Sequence, residues 1–242
     1  MNRFFLPPSA ISGDTAVITG DDALHITKVL RLREGDMVEL CDMQCGEYAA
    51  QIEGFAKGAV ALRISERTTS RSELPCRVTL YQCLPKGSKL ETVIQKCVEL
   101  GVWSIVPAIS KRCVVKPEQD RGAARLTRYN RIALEAAKQS KRGIVPYVKT
   151  AERLADCDFS QYDLAIAAYE EERVITLKQL LSRHPHAGSI ALVVGPEGGF
   201  EREEIEMMRA KGVHSVTLGS RILRTETAAA AMLAMIAYEM EQ

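Results

Sequence analysis

Short apolar runs separated by turn residues occupy the first third of the chain, a pattern that is typical of a small β-barrel or β-sandwich. Gly-Asp and Lys-Gly pairs stand between the runs. One stretch, Asp21–Leu32, departs from this pattern, because its apolar spacing predicts a short helix with Asp21 or Asp22 as the N-cap. The predicted strands are Thr15–Thr19, Met37–Cys41, Glu47–Phe55 and Ala59–Ser65.

A polar stretch that ends in proline, Glu66–Pro75, predicts a linker, and after it strand patterns alternate with helical patterns. This alternation predicts an α/β fold with a mostly parallel sheet covered by helices. In the first helix, Ser88 and Glu91 predict a capping box and Gly101 predicts the helix end. The expected strands are Arg77–Leu84, Trp103–Ile109, Asp163–Ala168, Ile190–Val194 and Ser215–Leu218. The expected helices are Ser88–Leu100, Gly122–Lys141, Ile175–Ser182, Arg202–Lys211 and a last helix from Thr225.

The last predicted helix, Thr225–Met240, is apolar on every face, with a run of alanines, methionines, leucine and isoleucine. Such a helix is either buried all round in its own domain or buried on one side by its domain and on the other by a partner. We favour the second arrangement, a homodimer through this helix.

Charge is distributed unevenly behind a formal net charge of +1. Residues 71–142 hold 15 Lys and Arg against 6 Asp and Glu, whereas the segments on either side are acidic. One strongly basic third predicts binding of a polyanion such as RNA. The alternative is a solvated helical face formed by Arg121, Arg125, Arg128 and Arg131.

The seven cysteines are odd in number and scattered, which indicates a reduced, cytoplasmic protein. Cys41 and Cys45 form the only close pair and have no histidine nearby, so we expect no metal site. No apolar stretch reaches the roughly 18 residues of a transmembrane helix, so we expect no membrane association.

Two loops carry the strongest signal for a site. Gly195–Gly199 follows one predicted strand and Leu218–Ala228 follows the next, and such junctions form the ligand crevice of open α/β sheets. Glycines let a ligand approach the backbone, but the acids that begin the helix at Arg202 disfavour a bound phosphate. The alternatives are a plain strand-to-helix turn for the first loop and, for the second, an ion pair of Arg221 or Arg224 with Glu226 that only fixes the loop.

Several long motifs, in order along the chain, resemble the RsmE family of methyltransferases, which act on N3 of a uridine in 16S ribosomal RNA. The motifs are Arg3-Phe-Phe, Val29-Leu-Arg-Leu-Arg-Glu-Gly-Asp, Leu84-Pro-Lys-Gly-Ser-Lys, Gln95-Lys-Cys-Val-Glu-Leu-Gly-Val, Glu135-Ala-Ala-Lys-Gln-Ser, Val194-Gly-Pro-Glu-Gly-Gly-Phe and Leu218-Gly-Ser-Arg-Ile-Leu-Arg-Thr-Glu-Thr-Ala. The resemblance implies a PUA-like β-barrel RNA-binding domain over residues 1–72 and a SPOUT methyltransferase domain over residues 73–242. It also implies a C-terminal trefoil knot, a homodimer, S-adenosylmethionine as methyl donor and no metal.

The resemblance also assigns roles to residues. It implies that the cofactor is held, mainly by backbone groups, at Ala168, Val194, Gly195, Pro196, Gly199, Leu218, Gly219, Ile222 and Leu223. Catalysis needs the N3 proton of uridine to be lost, either to Glu197 as a base or with Arg224 stabilising the uridinate, and Arg224 is favoured. The expected RNA contacts are Arg3, Arg31, Arg33, Lys86, Lys89, Lys111, Arg112, Gln139, Arg142 and Arg221.

Two other functions stay open at this point. One is a knotted RNA methyltransferase with another RNA target, and the other is a non-catalytic RNA-binding factor in ribosome assembly. A pure RNA-binding protein has no need of the two glycine-containing loops, which disfavours the second alternative.

Overall fold

The computed structural model describes residues 1–114 and 122–241. These residues form two compact units. Unit 1 comprises Met1–Glu73 and Ala137–Val145, and unit 2 comprises Leu74–Ala136 and Pro146–Gln242.

Unit 1 is built on a six-stranded sheet with the order β1-β4-β5-β6-β3-β2. The four strands predicted from alternation are confirmed, and β1 and β2 are additional. Side chains alternate along these strands, so that Ala16 and Ile18 are buried while Thr15 and Thr19 are exposed. The strands are β1 (Asn2–Phe5), β2 (Ile11–Ser12), β3 (Thr15–Thr19), β4 (Met37–Cys41), β5 (Gly46–Ala56) and β6 (Ala59–Thr69).

Two expectations for this unit need correction. The predicted helix begins earlier, because Gly20 takes a φ of +66° that turns the chain directly from β3 into α1 (Gly20–Leu24). Asp21 and Asp22 therefore lie in its first turn, and the N-cap position is Thr19. The helix continues as a π-helix, His25–Leu30. The predicted linker is also shorter, because β6 pairs with β5 as far as Thr69.

Unit 2 contains a parallel sheet with the order β10-β8-β7-β12-β11-β13, and β9 pairs with β8 outside this path. The five predicted strands are confirmed within a few residues, and the two-residue strands β9 and β10 are additional. The strands are β7 (Arg77–Cys83), β8 (Ser104–Ile109), β9 (Tyr147–Val148), β10 (Glu152–Arg153), β11 (Leu164–Ala168), β12 (Ser189–Val194) and β13 (Val213–Val216).

The predicted helices of the α/β region are present: α2 (Lys89–Glu99), α3 (Gly122–Gln139), α4 (Leu177–Arg183), α5 (Arg202–Ala210) and α6 (Thr225–Met240). Ser88 does occupy the N-cap position of α2, but its side chain makes no capping bond, so the expected capping box is wrong. Glu91 instead pairs with Arg128 of α3 at 2.8 Å. Gly101, with a φ of +99°, follows the helix end as expected.

Helix α6 has one covered face and one open face within its own unit. Ala229, Met232 and Ile236 are fully buried, and the helix packs on α2, α4 and strands β7 and β12. Met235 and Tyr238, by contrast, are 43% and 69% exposed. A helix that is apolar all round is therefore not enclosed by its own domain, and its outer apolar side chains reach the surface.

Candidate active site

A cavity of about 870 Å³ opens at the carboxyl ends of three neighbouring parallel strands, β11, β12 and β13. Its walls are the loops that follow these strands, 168–173, 194–200 and 217–225. The volume lies within the roughly 300–1,000 Å³ of small-molecule sites, and the location is that of ligand crevices in open α/β sheets.

The nine residues expected to hold a cofactor all line this one cavity: Ala168, Val194, Gly195, Pro196, Gly199, Leu218, Gly219, Ile222 and Leu223. The segment from Val194 to Pro196 is buried and forms one wall. Ile222 differs, because its side chain is 89% exposed. It therefore lies at the rim, and its side chain does not form an apolar wall.

Gly199 is held in a backbone conformation that favours glycine. Its φ is +67°, a region that side chains disfavour, and an added Cβ would lie 2.6 Å from a carboxylate oxygen of Glu170. On the other side, the Cα of Gly199 lies close to Gly195. The positive φ thus favours glycine at position 199 independently of any ligand, and Gly195 packs closely against Gly199 and Phe200.

A buried hydrogen-bond network ties the middle loop to the sheet and to α6. The Thr225 hydroxyl donates to the Gly195 carbonyl at 2.6 Å and accepts a bond from Gln82 Nε2 at 2.8 Å. Sequence reasoning missed Gln82, a completely buried residue of β7. The available signal was the one amide side chain in a strand that is buried from Val78 onward, since a buried amide needs partners.

The loop after β11 is fixed by Glu172, which sequence reasoning also missed. Its carboxylate accepts the backbone N–H groups of Arg173 and Val174 at 3.0 Å, the Ser215 hydroxyl at 2.7 Å and the Arg209 guanidinium at 3.1 Å. The hydrogen bond from Ser215, followed by those from the backbone, lowers the pKa of Glu172 to about 2. A charged carboxylate therefore anchors the loop that forms one wall of the cavity.

Two residues with separate predicted roles form an ion pair at the cavity. Lys89 Nζ lies 2.6 Å from Glu197 Oε1, and the Lys86 backbone N–H donates to the same oxygen at 3.0 Å. Partial burial acts to raise the pKa of Glu197, but the Lys89 bond and charge, together with the backbone N–H groups of Glu197 and Lys86, outweigh it and the pKa is lowered. In this state Glu197 is a weak base.

Arg221 and Arg224 are exposed at the same cavity and have no carboxylate within 4 Å among the described residues. The alternative in which either arginine pairs with Glu226 is therefore wrong. One carboxylate oxygen of Glu226 is buried with no hydrogen-bond partner in the part of the chain that the structure describes. The guanidinium groups of Arg221 and Arg224 are thus available to an anion.

Two of the expected RNA contacts lie in the interior of unit 1, which corrects the prediction for them. Arg3 is 8% exposed and pairs with Glu39 and Glu47. Arg142 is 1% exposed and binds Glu73 at 2.5 Å. Both guanidinium groups compensate buried or half-buried carboxylates, so neither reaches a ligand at the surface.

The other expected RNA contacts are at the surface or partly exposed. Arg31, Arg33 and Gln139 are exposed in unit 1, and Lys86 is exposed in unit 2. Lys111 and Arg112 are also accessible, but they pair with Glu203 and Glu201 at the start of α5. For the alternative of a solvated basic face, Arg128 and Arg131 are exposed and Arg125 is half-buried, while Arg121 lies outside the described residues.

No group of His, Cys, Asp and Glu side chains in residues 1–114 and 122–241 has the arrangement of a metal site. All seven cysteines are free thiols. Across those same ranges, no helix is both long and apolar enough to span a membrane.

Comparison with known proteins agrees with this architecture. Residues 72–237 match a family model described as an RNA methyltransferase domain, and residues 18–65 match one described as an RNA methyltransferase PUA domain. The sheet of unit 2, with its cavity at the strand ends, is thus the part of the chain that corresponds to a methyltransferase domain. The chain therefore belongs to the class of RNA methyltransferases.

Individual relatives narrow the class. The ribosomal RNA small subunit methyltransferase E of Bacillus subtilis is 35% identical over 100% of this chain and 98% of that protein. The protein of the same name from Synechocystis is 35% identical over 97% of this chain and 76% of that protein. A crystal structure of such an enzyme from Neisseria gonorrhoeae, bound to S-adenosyl methionine, is 34% identical with a TM-score of 0.86, covering 98% of this chain and 96% of that one. This chain belongs to the RsmE family of ribosomal RNA small subunit methyltransferases.

Proposed function

We propose that this protein transfers the methyl group of S-adenosylmethionine to N3 of a uridine in 16S ribosomal RNA. The observation that carries the proposal is the convergence of three loops on one cavity at the ends of β11, β12 and β13. Glycines and buried backbone form one wall, which suits a cofactor held by backbone groups. Arg221 and Arg224 form part of the rim, exposed and without a carboxylate partner in residues 1–114 and 122–241, which suits an anionic substrate.

S-adenosylmethionine supplies an electrophilic methyl group when it is bound. We assign its binding to Ala168, Val194, Gly195, Pro196, Gly199, Leu218, Gly219, Ile222 and Leu223. Thr225 and Gln82 hold the Gly195 carbonyl in place, and the Glu172 network holds the loop after β11. These bonds fix two cavity walls before substrate binds, which reduces the cost of ordering them on binding.

We assign the catalytic role to Arg224, which stabilises the negative charge that develops on the uridine as N3 loses its proton. The free guanidinium of Arg224 is available for this charge, and an aligned donor to a developing anion is a large catalytic effect. Glu197 is the weaker candidate, because its pairing with Lys89 favours the charged carboxylate and opposes uptake of a proton. The base is extruded from its RNA stack to reach the cavity.

Of the RNA contacts expected from the sequence, we assign RNA binding to those that are accessible: Arg31, Arg33, Lys86, Lys89, Lys111, Arg112, Gln139 and Arg221. Each contributes through the phosphate backbone, so that binding weakens steeply with salt. Lys89, Lys111 and Arg112 exchange their present carboxylate partners for phosphate, and we therefore expect smaller contributions from them than from Lys86 or Arg221.

The finer architecture belongs to the same proposal. We assign residues 1–72 to a PUA-like barrel domain and residues 73–242 to a SPOUT domain whose C-terminal loops form a trefoil knot. The protein acts as a homodimer through α6, whose exposed Met235 and Tyr238 support such an interface. Its substrate is 16S rRNA or the small ribosomal subunit, and it works in the cytoplasm.

The decisive experiment is incubation of the purified protein with labelled S-adenosylmethionine and small-subunit RNA or subunits, followed by mass mapping of the modified nucleotide. We expect one 3-methyluridine in 16S rRNA. Methylation of another RNA would support the alternative of a different target. Salt-sensitive RNA binding without any cofactor binding would support the non-catalytic assembly factor instead.

A further inference from the structure

One acid at the cavity has a carboxylate without a partner. Glu170 follows β11 and lines the cavity. Its carboxylate makes no hydrogen bond and no ion pair with any residue in the ranges 1–114 and 122–241. Full negative charge on an unpaired carboxylate, next to a ligand site, favours a cationic ligand group.

The Glu170 carboxylate lies directly against the glycine loop. An ideal Cβ on Gly199 would be 2.6 and 2.7 Å from its two oxygens, so the carboxylate touches the Cα side of Gly199. Gly199 belongs to the wall that we assign to the cofactor. The acid is therefore placed on that wall.

The other charged side chains discussed at the cavity either already bind a partner or are cationic. Glu171 accepts a hydrogen bond from the Tyr169 hydroxyl at 2.7 Å, and Glu197 is paired with Lys89. Arg173 donates to the backbone carbonyls of Glu170 and Glu172. Glu170 is thus the lining acid whose charge is least offset by a direct bond.

A cation that interacts with Glu170 is Arg112, which lies beside Gly198. Glu170 contributes to the raised pKa of Arg112, after the larger effect of the Glu201 hydrogen bond. The guanidinium itself binds Glu201 at 2.8 Å and the Gly198 carbonyl at 2.6 Å. Arg112 therefore holds the loop through Glu201 and Gly198 and makes no direct bond to the Glu170 carboxylate among the described residues.

We propose that Glu170 is the counter-charge for the sulfonium of S-adenosylmethionine and favours this cofactor over S-adenosylhomocysteine. A sulfonium has no hydrogen-bond donor, so a carboxylate stabilises it through charge alone, which an unpaired carboxylate provides. The demethylated product lacks this charge and loses the attraction, which aids its release. The inference rests on the proposed function and adds a residue that discriminates substrate from product.

The test is calorimetric titration of wild type and Glu170→Gln with S-adenosylmethionine and with S-adenosylhomocysteine at low salt. We expect the variant to bind S-adenosylmethionine about 4- to 20-fold more weakly, as one charge pair at a partly exposed site predicts. Its affinity for S-adenosylhomocysteine should change by no more than about twofold, because an uncharged sulfur has no Coulomb attraction to lose. The matched control is Glu206→Gln, which removes an exposed carboxylate of α5 outside the cavity and should change neither affinity.

Equal weakening of both ligands would overturn the proposal, because it would place Glu170 at a group that the two molecules share. Unchanged or tighter binding of S-adenosylmethionine would overturn it as well, the latter by showing that Glu170 obstructs the site. If wild type binds neither ligand, the proposed function itself fails, a result distinct from a selective failure of the variant. A difference between wild type and variant that narrows as salt is raised supports the charge mechanism.

Discussion

Arg224 and Glu197 line the same cavity but differ in whether a side chain of opposite charge binds them. The Arg224 guanidinium has no carboxylate partner among the described residues, whereas Glu197 is bound to Lys89. We therefore expect Arg224→Ala to lower the rate of methyl transfer by about 10²–10³, the usual cost of removing one donor to a developing anion. Affinity for S-adenosylmethionine, measured by calorimetry, should stay at the wild-type value.

Two comparisons make this prediction specific. Arg202→Ala removes an exposed arginine of α5 that pairs with Glu206, and it should leave the transfer rate unchanged. Glu197→Gln should cost less than Arg224→Ala in single-turnover assays. A larger loss in Glu197→Gln, with normal cofactor binding, would show that the carboxylate is the base and would reverse the assignment.

The lowered pKa of Glu172 leads to a prediction for how the free energy of unfolding depends on pH. Its pKa is lowered from the ordinary 4.5 to about 2, first by the Ser215 hydroxyl and then by backbone N–H groups. The stabilisation is therefore fully present above about pH 4.5 and is lost as the pH falls toward 2. We expect Glu172→Gln to lower the free energy of unfolding at pH 7 by about 1–3 kcal/mol, since buried donors lose their charged acceptor.

Denaturant titrations of wild type and Glu172→Gln at pH 7, 5 and 3 measure this effect. The difference between the two proteins should shrink at pH 3, where the Glu172 carboxyl is protonated in the unfolded chain but still charged in the folded protein. Glu171→Gln, a substitution of the exposed neighbour, should be as stable as wild type. A constant difference at every pH would mean that Glu172 contributes through packing and not through its charge.

At the scale of elements, two adjacent glycines in the loop between β12 and α5 differ in how well each would tolerate a side chain. Gly199 has a φ of +67° and faces Glu170, whereas a Cβ on Gly198 would make only ordinary contacts of 3.5 Å with Arg112. Gly199→Ala should cost about 1–3 kcal/mol of stability from backbone strain and weaken S-adenosylmethionine binding, while Gly198→Ala keeps both near wild type. Thermal unfolding and calorimetry measure the pair. Equal behaviour of the two variants would contradict a specific role for the Gly199 conformation.

The sequence predicted most strands and helices because their signals are local. Apolar periodicity, a helix-ending Gly101 and two glycine-containing loops can each be read within a few positions. The supports of the site are not local: Gln82 and Thr225 are 143 positions apart, and Glu172 and Ser215 are 43 apart. No short pattern records which distant polar groups meet, so these two networks were missed.

The dependence on distant contacts also explains why two buried arginines were assigned to RNA binding. From the sequence, Arg3 and Arg142 are two basic residues among many, and the resemblance assigned them to RNA. In the structure they compensate glutamates within unit 1, because the neighbouring strands and turns bring those acids to the same interior. A cation-rich stretch predicts a binding function for the region, but only the fold determines which cations remain accessible.

At the scale of the whole molecule, the proposed homodimer depends on the outer face of α6. Its inner face is buried by its own unit, while Met235 and Tyr238 are exposed on a helix that is otherwise almost entirely apolar. Exposed apolar side chains that lie together on one helix are typical of a protein interface. We therefore expect wild type to have the mass of two chains in light scattering coupled to size-exclusion chromatography.

Replacing both exposed side chains with charge tests the interface. The double variant Met235→Glu/Tyr238→Glu should have the mass of one chain, because burial of two like-charged pairs at a symmetric interface is strongly unfavourable. Val29→Glu, which adds a charge at a 66% exposed apolar side chain of unit 1, should leave the dimer intact and serves as the control. A double variant that still migrates as a dimer, with circular dichroism like that of wild type, would place the interface elsewhere. If the monomer retains cofactor binding but loses methyl transfer, the dimer is required for RNA engagement and not for formation of the cofactor cavity.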